Sequence, residues 1–138
     1  MEEIRTVVLD RAAAVAAKDP AGMLRHNAPD IVEYTLAPPL RQQVGTIESV
    51  SSWLAGFEGP MSMEVTDLEI TAGADVAYCT SLNCLTATPV GGSESFSLWF
   101  RSTLGLRKID GRWLVTHEHA SVPFEMDGTF RASIDLKP

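Results

Sequence analysis

Apolar residues recur at helical spacing near the start of the chain, where Ile4, Val7, Val8, Arg11, Ala12 and Val15 share one face. That pattern, with the alanine-rich run over 12–17, predicts a helix over 3–18. Asp19-Pro20 opens a second, short helix, with Asp as N-cap and Pro in the first turn. It carries Met23, Leu24 and His26 and is expected to end near Asn27-Ala28-Pro29. Ile31, Val32, Tyr34 and Leu36 mark a strand over 30–36, stopped by Pro38-Pro39. Thr46 caps a third helix, with Ile47, Val50, Leu54 and Phe57 on its apolar side, Trp53 beside them and Glu48 in the first turn. Gly59-Pro60 is expected to end it.

From Met61 onward the pattern is that of strands. Met61, Met63 and Val65 follow one phase of alternation, and Leu68 and Ile70 follow the other, which predicts a bulge near Thr66-Asp67. Strands over 76–88, 94–108 and 112–121 come next, separated by Pro89-Val90-Gly91-Gly92 and by Asp110-Gly111. Asp-Gly is a strong hairpin signal because type I′ turns need positive φ. At about 15 residues, the 94–108 strand far exceeds the usual ~5–6, so it must bend, and Gly105 is the expected bend point. The order helix, helix, strand, helix and four-strand meander reads as α+β. A long curved antiparallel sheet with helices over one face makes a cone around an apolar cavity.

The 138 residues fit a single domain spanning 1–138. A net charge of −7 argues against nucleic acid and against anionic membrane surfaces, both of which call for an excess of Lys and Arg. No run approaches the ~20 apolar residues that span a bilayer. The opening Met1-Glu2-Glu3 is acidic where a secretory leader would be basic, so a cytoplasmic location is expected. Cys79 and Cys84 fall in one strand. At ~3.3 Å per residue they stand ~16 Å apart on opposite faces, beyond the ~7 Å Cα separation a disulfide allows. They are expected to be buried free thiols.

The element order, the Asp110-Gly111-Arg112-Trp113 turn and the His117-Glu118-His119-Ala120-Ser121 strand end resemble the NTF2-like superfamily. Within it the chain is most similar to the SnoaL-like group, often labelled ketosteroid-isomerase-like. Leu36-Ala37-Pro38-Pro39-Leu40, Phe57-Glu58-Gly59-Pro60 and Arg101-Ser102-Thr103 carry the likeness further. It implies an α+β cone of three helices packed on a strongly curved antiparallel sheet. Activity does not follow, because the superfamily holds isomerases, dehydratases, cyclases, epoxide hydrolases and non-enzymatic binding domains. The steroid isomerases use a carboxylate base on the first strand, a tyrosine on the first helix and a protonated aspartate on the long hairpin. Those positions fall here at Thr35, at Ala12 or Ala13, and at Thr103, so that catalytic set is missing.

The resemblance places Trp99, Arg101 and Thr103 on the cavity side of the long strand, and Thr116, Glu118 and Ala120 on the cavity side of the last. Glu118 is then the candidate acid or base, its pKa raised by an apolar cavity. Arg101 is the candidate oxyanion or carboxylate partner, or else forms a structural ion pair with Glu118 or Glu33. Tyr34, Trp53, Phe57 and Asn83 would supply aromatic walls and polar handles. His117 and His119 share the opposite face. They offer two metal ligands where a site needs three or more, so no metal is expected, nor any cofactor. Phe96, Leu98 and Phe100 form an apolar face expected to point outward and to pair two copies as a homodimer. Two functions remain open. One is a cofactor-free isomerase, cyclase or lyase acting on a small apolar carbonyl, polyketide-like or steroid-like ligand. The other is a non-catalytic dimeric ligand-binding or scaffolding module.

Overall fold

The computed structural model describes residues 1–92 and 94–138. Helix α1 spans Glu2–Ala16 and buries Ile4, Val7, Val8 and Val15, as its apolar stripe dictates. Helix α2 spans Pro20–Leu24, with Pro20 in the first turn. It stops short of the expected Asn27–Pro29 because those residues already belong to strand β1, Asn27–Tyr34. Asn27 pairs with Val115, whose N–H donates to the His26 carbonyl at 2.8 Å. Asp19 sits at the N-cap but makes no side-chain capping bond.

Helix α3 spans Ile47–Leu54. Thr46 Oγ1 accepts from Ser49 N–H at 3.1 Å, and Ser49 Oγ accepts from Thr46 N–H at 2.8 Å, a reciprocal cap. The expectation that Phe57 closes this helix is corrected. Strand β2 runs Phe57–Ala72, and Phe57 pairs with Pro89. Gly59, at φ 68°, lies in a register shift inside that strand instead of ending a helix. The bulge expected near Thr66-Asp67 is present: the β2 register shifts between Thr66 and Glu69, and Asp67 takes φ 54°.

Strands β3 (Val76–Pro89), β4 (Phe96–Ile109) and β5 (Arg112–Ser121) complete a five-stranded sheet of order β1-β5-β4-β3-β2. Asp110 and Gly111 both take positive φ, as the hairpin turn requires. The sheet is mixed rather than all antiparallel, because β1 runs parallel to β5. Both of its borders are irregular. On β1, Pro29 lacks an N–H, and Gln42 N–H covers the Glu33 carbonyl at 3.0 Å. On β2, two register shifts break the ladder, and Glu58, Glu64 and Glu69 are exposed.

The interior divides into two apolar clusters. The first joins Ile4, Val7 and Val8 to Ile31, Cys79, Leu104, Leu106, Trp113 and Val115. The second gathers Val15, Leu54, Met61, Leu85, Phe100 and Ala120. Each fully buried aliphatic side chain contributes roughly 1.5–3 kcal/mol. Cys79 and Cys84 are free and buried, as their spacing implied.

Candidate functional site

The β4–β5 hairpin decides which residues look inward. Ile109 pairs with Arg112, and the same register holds to Leu106 and Val115. Thr116 is then an extra residue, and pairing resumes with Gly105–His117 and Leu104–Glu118. In a bulge-free ladder Glu118 would stand opposite Thr103. The bulge sets it on the face of Leu104, Leu106 and Val115 instead.

The inner face of β4 is therefore Phe100, Ser102 and Leu104, the reverse of the expected one. Arg101 and Thr103 are exposed on the outer face, and Trp99 shares their strand phase. Phe96 packs on the second cluster, Phe100 lines the cavity, and Leu98 pairs with buried Leu85. The apolar face expected to join two copies thus points inward. Tyr34 also lies outside, edge-on to His117 and His119 at centroid distances of 5.1 and 5.5 Å. His117 Nδ1–H donates to the Val32 carbonyl at 2.7 Å. His26 meets Asp10 at 2.9 Å. Thr116 uses its hydroxyl on the Gly105 carbonyl at 3.3 Å and does not line the cavity. Phe57 stands behind Trp53, with ring centroids 5.1 Å apart, in the second cluster. Among the described residues, no three His, Cys, Asp or Glu side chains gather as a metal-binding group.

Between the two clusters lies a cavity of about 540 Å³, within the size range of small-molecule pockets. Helix α1 supplies Val8, Arg11 and Val15, and α3 supplies Val50 and Trp53. The sheet supplies Glu33, Met63, Asn83, Leu85, Phe100, Ser102, Leu104, Glu118 and Ala120. Glu118, Asn83 and Trp53, all named as candidates from the sequence, are among these lining residues.

Three ionisable groups meet on one wall. Arg11 Nη2 donates to Glu118 Oε2 at 2.7 Å, and Arg11 Nε donates to Asn27 Oδ1 at 3.2 Å. Glu33 is the register partner of Glu118 across the parallel β1–β5 pair, and both carboxyls line the cavity. The Arg11 and Glu118 side chains keep only 16% and 21% of their surface.

The two carboxyls are driven apart. Burial pushes Glu33 up, the neighbouring Glu118 charge pushes it further, and Arg11 offsets part of this, leaving it at about 7. Burial alone would also raise Glu118. The Arg11 guanidinium and its hydrogen bond outweigh it and hold Glu118 below the ordinary carboxylate value. Near neutral pH the pair therefore carries one ionised carboxylate and one group close to half-protonated.

The sequence did not single out Arg11 or Asn27 for this site, and it named Glu33 only as a possible ion-pair partner for Arg101. The one available signal was a guanidinium in the middle of the α1 apolar stripe. A family model for the SnoaL-like domain matches residues 4–125. The chain belongs to the SnoaL-like family. No curated protein gives a significant match to this SnoaL-like chain. Among solved structures, an NTF2-like protein of unknown function from Pseudomonas putida is 30% identical, with TM-score 0.83 over 99% of this chain and 95% of that one. A scytalone dehydratase-like protein from Novosphingobium aromaticivorans is 16% identical, with TM-score 0.75 over 96% and 89%. An NTF2-like superfamily protein from Salmonella enterica is 13% identical, with TM-score 0.78 over 93% and 94%. The two more distant structures speak for the fold alone. No helix among the described residues is long and apolar enough to cross a membrane.

Proposed function

We propose that this SnoaL-like protein is a cofactor-free acid–base enzyme that moves a proton on a small apolar carbonyl compound held in the cone. The observation that carries the reading is the Glu33–Glu118 pair, set side by side on β1 and β5 at the cavity wall, with Arg11 bonded to Glu118. The proton-moving role passes from Glu118 to Glu33. A group near 7 populates both of its forms at neutral pH, which suits a general base that must also return the proton. Glu118 stays ionised and lifts the basicity of its neighbour. Arg11 takes the role first given to Arg101. It has five N–H donors and spends two on Glu118 and Asn27, so others are free to face a developing enolate oxygen.

The step balances within the site. The Glu33 carboxylate takes a proton from the carbon beside the carbonyl, the C–H pair forms the enolate, and the same carboxyl returns a proton to carbon.

The test is exchange of the α-protons of 2-tetralone in D₂O, followed by NMR. Wild-type protein accelerates exchange, and Glu33→Gln lowers the rate by about 10²-fold or more while keeping a cooperative melt. A wild-type protein that binds the ketone without exchanging its protons would overturn the enzyme reading in favour of a binding module.

A further inference from the structure

We infer that the cavity holds a second, uncharged polar station, built by Asn83 and Ser102, that reads a neutral second oxygen on the ligand. The inference rests on the acid–base reading above and extends it to the substrate class: a neutral compound with a carbonyl at one end and a hydroxyl or second carbonyl at the other.

The station follows from register. Ser81 on β3 pairs with Ser102 on β4, and Ser102 pairs with Ala120 on β5, one inward position beyond Glu118. The carboxyl pair lies on β1 and β5, and the Ser81–Asn83 pair lies on β3. Two strand spacings separate β5 from β3, about 10 Å. Leu104, Phe100 and Ala120 lie among these groups on the sheet, and Val8, Val15 and Trp53 face them from the helices. Hence a ligand that reaches from the carboxyl pair to Asn83 lays its hydrocarbon over Leu104, Phe100 and Ala120.

The station has spare capacity. Ser81 Oγ donates to Asn83 Oδ1 at 2.7 Å, which commits the Asn83 oxygen and leaves its two N–H donors. Ser102 is 6% exposed, and its hydroxyl can donate and accept. Among the described residues, neither the Asn83 amide nitrogen nor the Ser102 hydroxyl is both sealed from solvent and unpaired. Both residues line the cavity, so a ligand reaches them.

Charge narrows the class further. With Glu33 protonated, the Arg11, Glu118 and Glu33 group is neutral; with Glu33 ionised it carries one negative charge. Among the described residues, no cation lines the Asn83 end. A carboxylate or phosphate would meet no counter-charge at the Asn83 end, and at the other end the Arg11 charge is already balanced by Glu118.

The experiment compares binding of 2-tetralone and 6-hydroxy-2-tetralone by calorimetry, on the wild type, Asn83→Leu and Ser102→Ala. Wild type is expected to bind the hydroxy ketone about tenfold tighter, the worth of one buried hydrogen bond. In each variant that ratio falls toward one. Equal affinities in the wild type, a ratio unchanged in both variants, or failure of both ketones to bind would overturn the inference. The α-exchange assay on the same ketones reads the acid–base role separately. Discrimination without exchange would remove the enzyme reading and leave the station standing. Exchange without discrimination would do the reverse.

Discussion

Arg11 on the first helix and Glu118 on the last strand meet at 2.7 Å, although 107 residues separate them in the chain. The contact ties α1 to the floor of the cavity. Removing one partner of a buried pair leaves the other charge uncompensated. Arg11→Met should therefore cost about 2–4 kcal/mol in urea denaturation, and adding Glu118→Leu should recover most of it. An Arg11→Met variant as stable as wild type would show that the pair is not holding the helix to the sheet.

Glu33 gives stability an unusual pH dependence. Folded, it keeps its proton up to about pH 7; its unfolded value is 4.5. Between those values the folded state binds more protons, so its contribution falls as pH rises and is gone above 7. Glu118 acts oppositely, because its folded pKa lies below the unfolded value. Its contribution is present above 4.5 and fades as pH drops through the folded value. Glu33→Gln, which cannot ionise, should melt higher than wild type by roughly 3–8 °C at pH 8, with little difference at pH 5. A gap that is the same at both pH values would be fatal to this assignment.

Arg101 points away from the chemistry. As an exposed side chain on the outer face, its replacement by alanine should change stability by no more than about 0.5 kcal/mol and leave ketone affinity within error. Loss of binding in Arg101→Ala would mean that the opposite face of β4 lines the cavity.

Deleting Thr116 should be tolerated, which is rare for a residue inside a strand. Normally a one-residue loss flips every downstream side chain. Here the lost residue is the unpaired one, so Leu104 still faces Glu118. The deletion should cost less than about 3 kcal/mol, within the common range for single changes, and preserve ligand binding. An unfolded product would show that the twist at the bulge is itself needed.

Local signals carried most of the architecture. Asp110-Gly111 declared its turn, the phase change at Thr66-Asp67 declared its bulge, and the spacing of Cys79 and Cys84 ruled out their pairing. The Thr116 bulge had no such mark. It sits among residues that alternate acceptably in either register, and one unmarked residue reversed the whole inner face of β4. Arg11 was visible but had no visible partner, since Asn27 and Glu118 come to it only through the fold. Gly59-Pro60 misled because the residues that break a helix also serve as a kink at a sheet border.

The sheet's two irregular borders have a further result. An added strand needs an uninterrupted row of donors and acceptors. Pro29 and the Gln42 bridge deny it on one side; two kinks and three outward glutamates deny it on the other. Among the described residues of a chain that is 45% apolar, neither border of the sheet thus offers an unbroken ladder to an added strand. Fibril growth should therefore be faster from molecules that have come apart than from the native sheet.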